Sequence, residues 1–195
     1  MSDLSVTPSQ TVGPFFHIGL NSIAINDLAP HAANDAAIVI CGRVFDGDGQ
    51  PVTDALIEIW QANEHGKYRP PEDAQDKSQQ ANFRGYGRIA TDANGAFSFR
   101  TIKPGRVPGS NGTLQAPHLA INVFMRGLLK HLVTRVYFPD EASNRDDSLL
   151  NQVMANRRHT LIAKKLPHAI TNWNGTSSYR ARTKRCFLTV NVAFQ

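Results

Sequence analysis

The chain has 195 residues, 41% hydrophobic and 19% charged, which is typical of a globular protein with one sizeable core. No run approaches the roughly 20 apolar residues that cross a bilayer, and the start lacks signal-peptide regions, so we expect a cytoplasmic protein without a membrane partner. The net charge of +5 would suit an anionic partner, but basic residues cluster only in 179–185, without a series of base-stacking aromatics. We therefore expect no nucleic acid.

The first 36 residues show no strong hydrophobic period. We interpret residues 1–36 as an N-terminal arm, and such an arm normally needs another surface to hold it. Residues 37–195 form the predicted domain, in which six segments are rich in β-branched and aromatic residues and are bounded by Gly, Pro, Asp or Asn. The predicted strands are 37–45, 55–62, 95–102, 118–125, 131–138 and 186–194.

These short strands follow one another without intervening helical periods. The pattern predicts an all-β fold, an antiparallel β-sandwich with long loops. In the last strand the even-numbered side chains are expected to face the core: Leu188, Val190, Val192 and Phe194.

One short helix is predicted in residues 146–158. Asp146 or Asp147 can cap its start, and three apolar residues recur at helical spacing: Leu149, Val153 and Met154. Residues 61–85 predict a long polar loop, and loops of that length are usually functional or bound by a partner.

Cys41 and Cys186 are the two cysteines of the chain, and they are far apart and lack CxxC spacing. We interpret both as core thiols, because neither a disulfide framework nor a zinc cluster is indicated. Trp60 is expected to pack in the core or at an interface.

The run from Ile40 to Tyr68, ICGRVFDGDGQPVTDALIEIWQANEHGKY, resembles the signature of the intradiol ring-cleavage dioxygenases. The resemblance continues through 82–105 and 132–141. It implies that family's β-sandwich fold with a mononuclear Fe(III) site, and an oxidoreductase activity that incorporates O2. Ten residues fall at the spacing of the signature: Ile40, Gly42, Val44, Gly49, Val52, Ile57, Glu58, Ile59, Gly66 and Tyr68.

In that family two tyrosines and two histidines bind the iron. Aligned without gaps, the resemblance places Gln75 in the slot of the loop tyrosine and Val107 in the slot after the Lys-Pro-Gly turn. The histidine slots fall on Leu119 and Ile121, and Ala116 replaces a substrate-activating arginine. An amide and aliphatic groups cannot replace phenolates and imidazoles on Fe(III), so we expect this chain to bind no metal.

His118 is one residue out of register with those slots. Because side chains alternate across a strand, it should share a face with Ala116 and point away from Leu119. We interpret it as a hydrogen-bonded strand histidine. Tyr68 and Tyr86 fall in no ligand slot, and the other histidines form no HxH or HxxxH pair, so an independent metal centre is not expected.

A member of this family without its ligands resembles the iron-free subunit that pairs with a homologous, iron-bearing β subunit. Three segments resemble motifs of that subunit: TPSQTVGPFFHIGL (7–20), MRG (125–127) and NRRHTLIAK (156–164). The resemblance implies a hetero-oligomer in which the arm of residues 1–36 packs on the partner subunit and the partner holds Fe(III). In that complex protocatechuate (3,4-dihydroxybenzoate) and O2 would yield 3-carboxy-cis,cis-muconate. Alone, this chain would be inactive and would contain no catalytic residue.

The same resemblance implies that Thr11, Gly13, Pro14 and Arg126 complete the substrate cavity of the partner. A permanently charged arginine would favour a bound carboxylated dianion, and Gly13-Pro14 would form a stiff wall. The motif usually continues with tyrosine; here it is Phe15, so that hydroxyl is missing. His17 is expected either at the cavity rim or as an anchor of the arm.

Two other interpretations stay open. The segment GRVFDGDGQPV (42–52) also resembles transthyretin-like domains, which would make the chain a stand-alone β-sandwich binding module without catalytic activity. Such modules are shorter, however, and do not explain the arm. An independent metalloenzyme with relocated ligands would bind metal as an isolated chain.

Overall fold

The computed structural model describes residues 6–33, 36–79, 81–109 and 112–165, together with the backbone of 186–193. Its body consists of two four-stranded sheets. The first has the order β4-β1-β10-β9, from β1 (Ala37–Phe45), β4 (Ala96–Ile102), β9 (Lys164–Lys165) and β10 (Cys186–Ala193). The second has the order β3-β2-β7-β8, from β2 (Leu56–Trp60), β3 (Tyr86–Ala90), β7 (His118–Phe124) and β8 (Leu132–Tyr137). A separate small pair consists of β5 (Val107–Pro108) and β6 (Leu114–Gln115).

The two sheets pack face to face, because alternate residues of each strand enter one shared core. The first sheet contributes Ile38, Ile40, Val44, Phe97 and Phe99, and the second contributes Ile57, Ile59, Leu119, Ile121 and Val123. Most of these side chains are almost completely buried. Removing such apolar area from water is the main source of stability in a sandwich of this kind.

The prediction of an antiparallel β-sandwich is confirmed. All ladders of the second sheet are antiparallel, as is the pairing of β1 with β4. One pair departs from that pattern, since β10 lies parallel to β1. The six predicted strands are present with ends that differ by at most two residues. Which face the side chains of the last strand present lies outside the described residues.

Strand β3 was not predicted, because its five residues include a glycine that weakens strand propensity. Gly87 is needed where the arm crosses the sheet: a Cβ there would lie 2.6 Å from Leu28 Cδ1 and 2.8 Å from the Ile25 carbonyl oxygen. Ile25 exchanges backbone hydrogen bonds with Arg88, and Leu28 is fully buried in the core. The predicted arm therefore packs on its own domain from about Ile25 onward.

The prediction of one short helix was incomplete, because the described residues contain three: α1 (Pro14–Leu20), α2 (Ser148–Gln152) and α3 (Ala155–Arg158). The cap at Asp147 is confirmed, since its carboxylate accepts hydrogen bonds from Leu149 N and Leu150 N. The predicted apolar face is wrong. Leu150 is the buried residue of α2, while Leu149 and Met154 are exposed. The chain is extended between α2 and α3, so the three predicted residues do not share one helical face.

Cys41 is only half-buried in β1, so its prediction as a core thiol is wrong, and the side chain of Cys186 lies outside the described residues. No helix within the described part of the chain is long and apolar enough to span a membrane.

Candidate functional site

The four expected iron-ligand slots do not surround a common site. Leu119 and Ile121 are fully buried in the core between the sheets, and Val107 is 3% exposed in β5. The Gln75 amide donates to the Gly66 carbonyl oxygen and to Asp73 Oδ2, both at 3.0 Å. None of these groups can present an anionic oxygen or an imidazole to a cation.

The opposite face of β7 carries the polar groups. His118 is 4% exposed, its Nδ1 lies 2.8 Å from the Ala116 carbonyl oxygen, and its ring contacts Tyr137. It therefore shares a face with Ala116 and points away from Leu119, as the alternation predicts. The charge of Arg135 acts on both Tyr68 and His118.

This geometry favours a different register for the family motif. Only the outer face of β7, which carries His118 and Ala120, is open to a ligand site, since the inner face forms the core. In that register His118 would fall on the ligand side of β7 instead of Leu119. An ungapped alignment depends on spacing alone and cannot show which face of the strand is buried.

The guanidinium of Arg135 places a permanent positive charge in this cluster. Arg135 donates to Gln115 Oε1 at 2.6 Å and influences the titration of His118, Tyr68, Tyr137 and Asp147. Burial lowers the pKa of the His118 imidazole, and the nearby guanidinium lowers it further. A permanent positive charge disfavours a second cation close by.

Asp147 holds this polar cluster together. Its carboxylate accepts hydrogen bonds from Ala116 N at 2.8 Å and from the Tyr137 hydroxyl at 3.0 Å, besides capping α2. Burial acts to raise the pKa of Asp147, but these bonds outweigh it and hold the pKa below its usual range. Burial also raises the pKa of Tyr137 to about 12.

These residues do not fit a ferric ion. Across the described ranges, no three His, Cys, Asp or Glu side chains gather in a geometry that could hold a metal. Of the family's ligand types, His118 and Tyr137 are in ring contact, and the charge of Arg135 acts on both side chains.

The four residues expected to complete a partner's cavity lie in one region of the surface. The Thr11 hydroxyl accepts a hydrogen bond from Gly127 N at 2.8 Å, which joins the arm to the loop after β7. Arg126 lies in that loop, with 62% of its side chain exposed, and its Nε donates to Asp54 Oδ2. Gly13 is the N-cap of α1 and Pro14 its first residue, a position that suits proline.

Apolar groups surround this region. Phe16 of α1 packs on Phe124 with ring centroids 5.5 Å apart, and His131 stacks on the same ring at 5.0 Å. An open cavity of about 440 Å³ lies beside Thr11, with Val12, Leu129 and Val133 in its lining. Phe15 and Val133 are 80% and 68% exposed. His17 is half-buried in the last turn of α1, and the geometry does not decide between its two expected roles.

Comparison with known proteins identifies the family. The family model described as "Dioxygenase" matches residues 26–179. The chain is 41% identical over 177 residues to the protocatechuate 3,4-dioxygenase alpha chain of Burkholderia cepacia, covering 85% of this chain and 86% of that one. The chain belongs to the intradiol dioxygenase family. The alpha chain of Pseudomonas putida is 39% identical over 175 residues, with coverages of 83% and 85%.

Both the alpha chain and the beta chain of protocatechuate 3,4-dioxygenase are similar in sequence to this chain. The protocatechuate 3,4-dioxygenase beta chain of Burkholderia cepacia is 34% identical over 158 residues, covering 80% of this chain and 66% of that one. Over the aligned residues, the identity is thus higher to the two alpha chains than to this beta chain.

Solved structures agree on the fold alone. Catechol 1,2-dioxygenase from Acinetobacter sp. ADP1 has a TM-score of 0.61 at 22% identity, covering 86% of this chain and 55% of that one. The dioxygenase domain of a carbohydrate-binding fusion from Streptomyces sp. SirexAA-E has a TM-score of 0.60 at 20% identity, with coverages of 100% and 95%.

Proposed function

We propose that this chain is the iron-free alpha subunit of a protocatechuate 3,4-dioxygenase. In this proposal a homologous beta subunit holds the Fe(III), and the hetero-oligomer cleaves protocatechuate with O2 to 3-carboxy-cis,cis-muconate. The observation that carries the proposal is the identity of 41% and 39% to two alpha chains, against 34% to a beta chain, and within the described residues no group of His, Cys, Asp or Glu could hold a metal.

The electrostatics of the degenerate site support an iron-free role. A ferric site in this family needs phenolates and imidazoles around an open position, whereas here Arg135 supplies a positive charge beside Tyr68 and His118. Burial raises the pKa of the Tyr68 phenol above its usual value, while the charge of Arg135 acts to lower it. The iron of the complex would therefore be held by the partner.

The exposed groups near Thr11 support a cavity-completing role. Arg126 offers a guanidinium at the surface, and its present partner, the carboxylate of Asp54, has the same chemistry as the carboxylate of the substrate. In the complex, Arg126 would bind and orient the protocatechuate carboxylate. Gly13 and Pro14 would then form a rigid wall, since Pro14 begins a helix with its φ fixed.

The exposed apolar side chains support a hetero-oligomer. Phe15, Ile18, Leu129 and Val133 are each more than half exposed, and they lie in the arm and at the β8 edge of the second sheet. Such residues close to a cavity are typical of interaction surfaces. A stand-alone binding module remains the alternative, and it would be favoured if the purified chain proved to be without a partner.

Replacing the cation of Arg126 tests the proposal. In the complex with its partner, Arg126→Ala should lower kcat/KM for protocatechuate about 10-fold to 100-fold, because a charge-assisted hydrogen bond contributes about 1.5–3 kcal/mol. Iron content should stay unchanged. Both are measured by steady-state oxygen uptake and metal analysis of the same preparation.

Arg43→Ala is the matched control, since Arg43 is exposed on β1 in the other sheet. It should leave kcat/KM near the wild-type value. Loss of iron in Arg126→Ala, or equal effects of the two variants, would contradict the assigned role of Arg126.

A further inference from the structure

A second concave surface lies on the outside of the second sheet, where Ile25, Pro30 and His31 of the arm form part of its lining. Two adjoining cavities of about 490 and 590 Å³ share the side chains of Arg69, Arg84 and Tyr86 in their lining. We call this surface the arginine groove. None of the residues that line it also lines the cavity beside Thr11.

The groove has an aromatic wall. Trp60 is 41% exposed, although the chain continues on either side through buried residues, and its ring contacts Tyr86 with centroids 4.7 Å apart. Pro70 and Pro71 add flat apolar surface. Trp60 thus does not belong to the core, and it offers a ring face to a planar ligand.

The groove also carries an excess of positive charge. Arg88 donates to Glu58 Oε1 through Nε at 2.9 Å and through a terminal nitrogen at 2.6 Å, which neutralises that carboxylate. Among the described residues, no carboxylate lies within 4 Å of the guanidiniums of Arg69 or Arg84. Three arginines against one glutamate in the lining leave an excess of two positive charges.

We propose that the arginine groove is a binding site for a planar aromatic carboxylate. Arg69 and Arg84 would bind the carboxylate, and the ring would stack on Trp60 and Tyr86. A guanidinium pair matches the geometry of a carboxylate, and a conjugated ring gains further from packing against aromatic faces. This site goes beyond the proposed function, because none of its residues belongs to the cavity completed for the partner.

The test counts ligands on the complex with its partner. Equilibrium dialysis with radiolabelled benzoate compares the wild type with the double variant Arg69→Ala/Arg84→Ala. The wild type should bind one more benzoate per copy of this chain than the double variant does. Turnover of protocatechuate should be equal in the two. The double variant Arg43→Ala/Arg157→Ala, which removes the same charge at exposed positions elsewhere, should keep the extra benzoate.

Competition then tests the class of ligand. Cyclohexanecarboxylate has the same charge but no flat ring, and it should displace benzoate at least about 10-fold less effectively. Equal benzoate counts in wild type and Arg69→Ala/Arg84→Ala would overturn the proposal, and so would displacement by inorganic phosphate as effective as by benzoate. Dissociation of the complex in that double variant, read by native mass spectrometry, would show that the groove is a partner contact instead.

Discussion

At the scale of single residues, Asp147 shows how one carboxylate can join three parts of the fold. It caps α2, binds the backbone before β7 and accepts the hydroxyl of Tyr137 from β8, and it is fully buried. The N-cap of α2 can be predicted from the sequence pattern of residues 146–158. The bonds to Ala116 and Tyr137 depend on tertiary contacts that no local pattern contains.

Replacing Asp147 with Ala should lower the free energy of unfolding by about 3 kcal/mol. The loss combines a missing N-cap, worth about 1 kcal/mol, with buried N–H and O–H groups left without an acceptor. Urea denaturation at neutral pH measures it. Asp147→Asn keeps a capping oxygen and should cost about half as much; equal losses in the two variants would mean that the hydrogen bonds do not matter.

His118 should make stability depend on pH near neutrality. Burial lowers the folded-state pKa of His118 below the unfolded value of 6.5. Just below pH 6.5, His118 is therefore protonated in the unfolded chain but stays neutral in the folded chain. Stability should therefore fall as pH drops from 6.5 toward the lower folded pKa. The carboxyl of Asp147, whose pKa is lowered, contributes only at more acidic pH.

The variant His118→Asn isolates this effect, because an amide can donate to the Ala116 carbonyl oxygen but does not titrate. Unfolding curves at about pH 7.5 and about pH 5.5 should show a smaller loss for the variant than for the wild type. The same loss in both proteins would assign the pH dependence to other groups.

At the scale of elements, the loop that begins with Gln61 owes its shape to the turn at Lys103-Pro104-Gly105. Asn63 Oδ1 accepts hydrogen bonds from His65 N and Lys67 N at 3.0 Å, and Gly105 N donates to the Asn63 carbonyl oxygen at 2.8 Å. The two segments approach so closely that a Cβ on Gly66 would lie 1.8 Å from the Arg106 carbonyl oxygen. This contact explains why both segments carry glycine.

A pair of alanine variants can separate close approach from backbone strain. Gly66 and Gly49 both have φ of 77°, but a Cβ on Gly49 meets nothing within 4 Å. Gly49→Ala should lower the free energy of unfolding by about 1 kcal/mol, because only the left-handed backbone conformation disfavours alanine there. Gly66→Ala should cost at least about 3 kcal/mol, because backbone must also move. Thermal unfolding of both measures the difference, and equal costs would refute the close packing.

Local patterns predicted most elements and missed those that depend on distant partners. The six strands follow from β-branched residues and turn signals, and both are properties of neighbouring residues. Strand β3 contains Gly87, which makes sense only once Ile25 and Leu28 are seen to cross it. Helix α1 was missed because its seven residues bury no side chain completely and so show no apolar period.

At the scale of the whole molecule, the family signature predicted the fold. The ligand slots could not be assigned to a face of β7, since a gapless alignment cannot distinguish the core side of the strand from its outer side. The arginine groove and the charge of Arg135 bring together residues from separate loops and strands. Their proximity could be found only in three dimensions.

An iron-free subunit should be found beside a homologous iron-bearing chain. Native mass spectrometry of this chain, tagged and purified from its own cells, reads the partner mass and the iron count together. We expect a homologous partner with one iron per pair, and release of iron-free copies of this chain when the complex is dissociated. A chain that emerges alone and metal-free, or alone with iron bound, would contradict it.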